Sequence, residues 1–251
     1  MQTERKLALF MDFENIAIGI EDAKYGRFDL DLVQKRLVDI GKILFKRAYA
    51  NWDRYTKYRR VFHQSSIQLF DIPKSTKSGK NAADIQMVID AMELCYSKDH
   101  IDVFVLASGD SDFSPLVSKL RENDKYVIGF GVKNSVSPLL VSNCDEFIYY
   151  EDVIAKPFVR AGRKSLNLTP KKQELFDLLM ESIMALNRND YDVIWGSMVK
   201  QTMKRKNPSF NEHYYGYNLF SEVLRDAAKN GLIEVEKDQR SGSLIVSNIK
   251  E

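Results

Sequence analysis

The sequence predicts an α/β protein: a three-layer, mostly parallel sheet, followed by a small α+β unit. Three observations carry that expectation. Apolar runs of strand length alternate with helical patterns through the first 155 residues. A polar, basic stretch broken by Pro157 and Gly162, residues 156–169, interrupts the rhythm. Beyond it, helical patterns follow one another and end in two short strand patterns. Alternating β and α segments favour parallel strands joined by right-handed crossovers. The expected division is therefore 1–155, a linker at 156–169, and 170–251.

Leu7-Ala8-Leu9-Phe10-Met11 is continuously apolar, as a strand covered on both faces must be. Ile43 to Phe45 with Arg47 to Ala50 is a second candidate, and Ile67 to Phe70 a third, stopped by Asp71 and Pro73. Ile101 to Ala107 is the strongest, Tyr126 to Phe130 follows, and Glu146 to Tyr150 is the sixth. Helices are expected at 29–42, 81–96, 113–122 and 135–142. In 81–96, helical spacing groups Ile85, Val88, Ile89, Met92, Cys95 and Tyr96 as the core-facing stripe.

After the linker, Thr169-Pro170 reads as an N-cap and first-turn pair. The helix it opens has Leu175, Phe176, Leu178, Leu179, Ile183 and Leu186 as its apolar face. A second helix is expected from Trp195 to Lys206 and a third from Tyr217 to Asn230, stopped by Gly231. Leu232 to Glu236 and Ser243 to Val246 flank Ser241-Gly242 as a hairpin would. Three helices and a hairpin make a winged-helix-like module.

Composition narrows the function classes. The 251 residues are 44% hydrophobic, enough for a core. No apolar run approaches the roughly 18 residues of a membrane span, and the first residues lead into a strand-like run rather than a signal region. Two cysteines, Cys95 and Cys144, cannot build a disulfide scaffold or a thiolate zinc cage, so a reducing, cytoplasmic setting is expected. The net charge of +2 hides 21 Lys and Arg against 23 Asp and Glu up to residue 155, and 16 against 12 after it. An acidic pocket beside a polyanion-binding surface fits that balance.

Chemistry in open α/β sheets gathers beyond the carboxyl ends of strands, where strand order reverses. Asp12 follows the first strand directly, and Asp110 and Asp112 follow the fourth within Ser108-Gly109-Asp110-Ser111-Asp112-Phe113. If these strands are neighbours, three carboxylates share a crevice. Asp84 lies one turn before Val88 and so points toward the sheet, and Asn15 stands one turn beyond Asp12. Clustered carboxylates raise one another's pKa unless a cation intervenes, and oxygen-only ligands suit Mg²⁺ or Mn²⁺. Each aspartate also has a plainer reading: Asp12 and Asp110 as caps, Asp84 as a first-turn dipole partner. Other chemistries lack their motifs. There is no Gly-x-x-x-x-Gly-Lys-Ser/Thr loop, Gly129-Phe130-Gly131 lacks a third glycine, and His63, His100 and His213 are scattered.

Phe10-Met11-Asp12-Phe13-Glu14-Asn15-Ile16, Lys80-Asn81-Ala82-Ala83-Asp84 and Ser108-Gly109-Asp110-Ser111-Asp112-Phe113 together resemble the motif set of the NYN domain, a PIN-like family that includes LabA-like bacterial proteins. The resemblance spans roughly 5–152. It implies a PIN-like Rossmannoid fold and metal-dependent RNA cleavage, with Asp12, Asp84, Asp110 and Asp112 as metal-binding acids and Asn15 as the accompanying polar residue. Asn81-Ala82-Ala83 departs from the Gly-Val-like step of many relatives and blurs the helix start.

Two segments suit a phosphate backbone. Lys74, Lys77 and Lys80 punctuate a loop just before Asp84, and Arg54, Arg59 and Arg60 are interleaved with Tyr55 and Tyr58. The first is equally a solvated loop, the second equally the outer face of a helix. In the back unit, Tyr215-Gly216-Tyr217, Phe220, Leu224 and Gly231-Leu232-Ile233 resemble the OST-HTH, or LOTUS, domain, a family associated with RNA, including structured RNA, and with protein partners. Lys200, Lys204, Arg205 and Lys206 are its basic cluster, which also suits a helix C-terminus.

The expected function is a ribonuclease dependent on Mg²⁺ or Mn²⁺, with a C-terminal module that captures single-stranded or structured RNA. The competing reading is a non-catalytic RNA-binding adaptor, and a metal phosphatase for small phosphomonoesters is third. A protein partner and a homodimer remain open.

Overall fold

The computed structural model describes residues 4–71, 80–154, 168–189, 191, 193–239 and 241–249. The chain divides into two compact units, the first closing at Ala155 and the second taking up from Lys156. The expected linker lies outside the described residues apart from Leu168 and Thr169.

In the first unit, β1 (Lys6–Asp12) leads into α1 (Phe13–Asp22) and α2 (Leu30–Ile40). Then come β2 (Lys42–Ala50), α3 (Thr56–Gln64), β3 (Gln68–Asp71), α4 (Lys80–Ser97), β4 (Val103–Ala107) and α5 (Ser114–Glu122). The unit ends with β5 (Tyr126–Gly131), α6 (Pro138–Asn143), β6 (Glu146–Tyr149) and α7 (Tyr150–Ile154). The sheet order is β3-β2-β1-β4-β5-β6, and every pairing is parallel. Order reverses between β1 and β4, which pair with Met11 opposite Ala107. The carboxyl ends of these two strands therefore open onto one crevice, the position where open α/β sheets bind ligands.

β1 and β4 are buried on both faces, as central strands of a parallel sheet must be. On one face, Ala8, Phe10 and Phe104 pack with Met87, Ala91 and Cys95 of α4 and with Leu116, Val117 and Leu120 of α5. Past the end of β1, the Phe13 ring meets Trp52, Tyr55, Tyr58 and Phe62 at centroid separations of 4.9–5.4 Å. That aromatic cluster ties α1 to α3 and to the turn before it.

Several local expectations change. All six predicted strands are present; α7 is not among the expected helices, and α1 and α3 are foreshadowed only by the capping reading of Asp12 and the helical reading of the Arg54 to Arg60 segment. α1 and α3 each bury an apolar pair one turn apart, Ile16/Ile20 and Tyr58/Phe62, which is too little periodicity to stand out. On α4 the predicted stripe holds in part: Cys95 is buried, and Val88 and Met92 pack against the core. Met87, Ala91 and Cys95 face the core, whereas Ile85, Ile89 and Tyr96 are more than half exposed. The expected helix at 135–142 becomes a 3₁₀ turn at Lys133–Ser135 followed by α6.

The second unit contains α8 (Pro170–Arg188), β7 (Ile194–Trp195), α9 (Gly196–Lys206), α10 (Phe220–Lys229), β8 (Ile233–Lys237) and β9 (Leu244–Ile249). Its sheet is antiparallel in the order β7-β9-β8. Thr169 caps α8 through its hydroxyl, with Pro170 in the first turn, as the sequence indicated. The second helix starts within a residue of its expected position: Trp195 is the N-cap of α9 and also pairs with β9 in a short strand. Tyr217 precedes the third helix, which starts at Phe220 after a 3₁₀ turn at Glu212–Tyr215. Gly231 stops that helix at φ 72°, a conformation that glycine adopts at little cost. A buried core of Leu175, Phe176, Leu179, Ile183, Val199, Met203, Val223 and Leu224 joins the helices. Among the described residues, no helix is long and apolar enough to cross a membrane.

Candidate active site

Asp12 is the last residue of β1 and the N-cap of α1. Its Oδ1 accepts the Asn15 N–H at 3.2 Å, so the capping reading of this aspartate is correct. Its Oδ2 accepts the Ser108 hydroxyl at 3.0 Å from the far side of the crevice. The residue is 8% exposed. Burial pushes its carboxyl up to about 7, the negative charges of Asp84 and Glu14 add to the rise, and the bonds from Asn15 and Ser108 oppose it. Proximity of Asp84 to Asp12 is thus felt electrostatically, although one is carried on β1 and the other on α4.

Asp110 is joined to the same point through Ser108, whose Oγ accepts the Asp110 N–H at 3.2 Å. Asp110 Oδ1 in turn accepts the Asp112 N–H at 3.0 Å and caps the 3₁₀ turn Ser111–Phe113. This capping reading is also correct. Asn15 Oδ1 accepts the Gly109 N–H at 2.8 Å, which fastens the loop after β4 to α1. A Cβ on Gly109 would stand 2.5 Å from the Ser135 carbonyl oxygen, so this close approach requires glycine.

Asp112 is exposed and lines an open groove of about 510 Å³ with Ser111, Ser114, Pro115, Ser118, Leu139 and Asn143. Among the described residues, no group of three or more His, Cys, Asp or Glu side chains is arranged to hold a metal ion. What the structure brings together is Asp12 with Asp84, and, through Ser108, the loop carrying Asp110. The donor set is all oxygen and the dominant nearby charges are negative, which is the chemistry a hard divalent cation complements.

Ser108 and Glu14 belong to the site although sequence reasoning gave them no role. Both lay inside quoted motifs, and their neutral or single-acid chemistry drew no notice beside the aspartates. Glu14 Oε1 accepts the Asn51 N–H at 2.8 Å, drawing the turn before α3 toward the crevice. Tyr55 on that turn has its hydroxyl pKa raised by burial and by the charges of Glu14 and Asp12, with Arg54 opposing them.

The basic candidates differ in availability. Arg54 and Arg60 are exposed, whereas Arg59 stands 3.8 Å from Asp53 and 3.6 Å from Asp71. Lys74, Lys77 and the Lys80 side chain lie outside the described residues. In the second unit, Lys200 is paired with Glu212 at 2.5 Å, Arg205 donates to Thr202 Oγ1 at 3.3 Å, Lys206 is half-buried and Lys204 is exposed.

Residues 6–151 match the NYN domain. An uncharacterized protein of Methanocaldococcus jannaschii, MJ0482, is 28% identical over 145 residues, which is 58% of this chain and 55% of that protein. The chain thus spans about half the length of this relative. A crystal structure of VPA0982 from Vibrio parahaemolyticus, described as a protein of unknown function, superimposes with a TM-score of 0.54 at 23% identity, covering 61% of this chain and 98% of that one. That likeness shows the fold: a six-stranded parallel sheet with flanking helices, as a PIN-like domain has.

Proposed function

The chain belongs to the NYN domain family, and from that premise we propose that it is a divalent-metal-dependent ribonuclease acting in the cytoplasm. The observation that carries the reading is the Asp12 carboxyl. It is buried beside a second acid at the topological switch point, with its pKa raised to about 7. A buried acid flanked by like charge is costly unless protonated or neutralised.

Asp12, Asp84, Asp110 and Asp112 would hold Mg²⁺ or Mn²⁺. When bound, such an ion supplies an activated water and neutralises charge developing on the phosphodiester. The protein's own residues prepare the site. The Ser108 hydroxyl fixes the Asp12 carboxylate in orientation, Asn15 holds the Gly109 N–H and so the approach of the 108–112 loop, and Asp12 takes up or releases its proton near neutrality. Arg54 and Arg60, with Lys74, Lys77 and Lys80, would guide the RNA backbone toward the acids, leaving Arg59 largely to its carboxylate partners.

The second unit is read as an OST-HTH, or LOTUS, module of winged-helix type that captures RNA. Its three helices and small antiparallel sheet are compatible with that class. Lys204 is its exposed cation on α9, with Lys200, Arg205 and Lys206 beside it in sequence.

Cleavage of labelled RNA with Mn²⁺ and with chelator tests the proposal. The wild type should cleave only with metal, and Asp12→Asn and Asp110→Asn should abolish cleavage while keeping RNA affinity. One observation favours a second reading, a non-catalytic RNA-binding adaptor: three carboxylates are not gathered at metal distance among the described residues. Metal-independent binding without cleavage would select it.

A further inference from the structure

Helix α4 carries a second acid, and it is not exposed to the crevice. Asp90 is 7% exposed and gripped from three sides. Its Oδ2 accepts the Tyr49 hydroxyl at 2.5 Å and Arg47 Nη1 at 2.6 Å, and its Oδ1 accepts Gln86 Nε2 at 2.8 Å. Arg47 is itself braced, donating from Nε and Nη2 to Gln68 Oε1 of β3 at 3.1 and 2.8 Å, with its guanidinium 5.1 Å from the Phe45 ring. The network joins β2, β3 and α4. Burial pushes the Asp90 carboxyl up, but the bonds from Tyr49, Arg47 and Gln86 outweigh it and hold the group below its usual range.

Two features make this network a rotational lock. The first is that apolar packing specifies the helix weakly. The fully buried stripe is Met87, Ala91 and Cys95, flanked by Val88, Met92 and Leu94, which are only partly buried, while Ile85, Ile89 and Tyr96 stay in solvent. A turn of the helix about its axis would bury the second set in place of the first, and apolar contact is non-directional. Hydrogen bonds converging on one carboxylate are directional and admit one rotation. The second is where the lock sits. Tyr49 is the register partner of Asp12 across β1 and β2. Asp84 lies six residues before Asp90, about 9 Å along a helix rising about 1.5 Å per residue. A rigid helix locked at Asp90 therefore fixes the height and facing of Asp84.

We propose that Asp90, held by Tyr49, Arg47 and Gln86, is a positioning residue that sets the rotation of α4 and so places Asp84 beside Asp12 to share a divalent cation. This rests on the metal-site reading above. In this reading Asp90 and Tyr49 act through Asp84. Outer groups that orient ligands typically change metal affinity about 10- to 100-fold when removed.

Mn²⁺ affinity, measured by titration calorimetry on the full chain, tests the proposal. Tyr49→Phe removes one hydroxyl, and Asp90→Asn removes the charge at nearly constant shape. Each should weaken Mn²⁺ binding at least tenfold. Cys95→Ala, which trims the buried face of the same helix away from the network, should leave it unchanged. In an Asp84→Asn background, Tyr49→Phe should cause no further loss, because the residue it positions is already gone. Wild-type affinity in both Tyr49→Phe and Asp90→Asn overturns the proposal, as does an equal loss in Cys95→Ala or a full additional loss in the Asp84→Asn background. If Asp90→Asn fails to fold, Tyr49→Phe carries the test alone. Failure of the wild type to bind Mn²⁺, or unchanged binding by Asp84→Asn, overturns the metal-site reading itself, an outcome distinct from failure of the lock.

Discussion

The Ser108 hydroxyl donates to Asp12 Oδ2 at 3.0 Å, and Ser108 Oγ accepts the Asp110 N–H at 3.2 Å, so one small side chain links the carboxyl ends of β1 and β4. Ser108→Ala removes both bonds. The Ser108 bond lowers the Asp12 pKa, so its loss should move that pKa above about 7. Unfolding free energy should fall by about 1–3 kcal/mol, the usual cost of orphaning a buried polar group. Carbon-detected NMR titration and urea unfolding read the two effects, and a lowered Asp12 pKa would contradict the assignment.

Asp12 also makes stability depend on pH, with a definite sign. Its folded pKa is raised from 3.8 to about 7, so between those values the folded state binds the extra proton. Stability from this group is full at low pH, declines as pH rises from about 4 through 7, and is flat above. About three units at about 1.4 kcal/mol each set an upper scale of about 4 kcal/mol. Asp12→Asn should remove that decline and melt higher than the wild type at pH 8. Mn²⁺ should stabilise the wild type more at pH 8 than at pH 5. Thermal melts across pH check both; a wild type that gains stability from pH 5 to 8 through this residue would contradict them.

Gly109 holds the loop of Asp110 against the turn Lys133–Ser135. Its carbonyl accepts the Ser137 N–H at 2.8 Å, and an added Cβ would meet the Ser135 carbonyl oxygen, part of the backbone, which cannot swing aside. Gly109→Ala should cost about 1–3 kcal/mol, as overpacking does. A melting temperature equal to that of the wild type would count against the tight approach.

Exposed and paired arginines should separate in RNA binding. Arg54→Ala and Arg60→Ala should each weaken single-stranded RNA binding and reduce the slope of log affinity against log salt by about 0.7. Arg59→Ala should change it less, because Asp53 and Asp71 already occupy that guanidinium. Filter binding at several salt concentrations distinguishes them. Equal slopes for all three variants would contradict this account of α3 and the turn before it.

The legible parts of the chain were those whose signal is local. Strands buried on both faces announce themselves as apolar runs, so Leu7 to Met11 and Ile101 to Ala107 were readable, and Asp12 and Asp110 followed from where those runs end. On helix α4, Val88, Met92 and Cys95 of the expected stripe pack against the core while Ile85, Ile89 and Tyr96 stay exposed, because helical spacing alone does not separate those three from Met87 and Ala91. The choice between them rests on contacts to Arg47 and Tyr49, some forty residues away in the chain. Ser108 was visible only as part of a motif, since its partner Asp12 lies 96 residues earlier. Asp112 follows β4 in the same motif as Asp110, and the 3₁₀ turn sets it exposed on the groove beside α6, a placement that no local sequence signal carries.

The central claim is that a divalent cation sits among acids drawn from β1, α4 and the loop after β4. Anomalous diffraction from a crystal soaked in Mn²⁺ addresses it directly. The account predicts a peak within coordination distance of Asp12, Asp84 and Asp110, lost in Asp12→Asn. Manganese bound only elsewhere, or no peak between those carboxylates at saturating Mn²⁺, would contradict it.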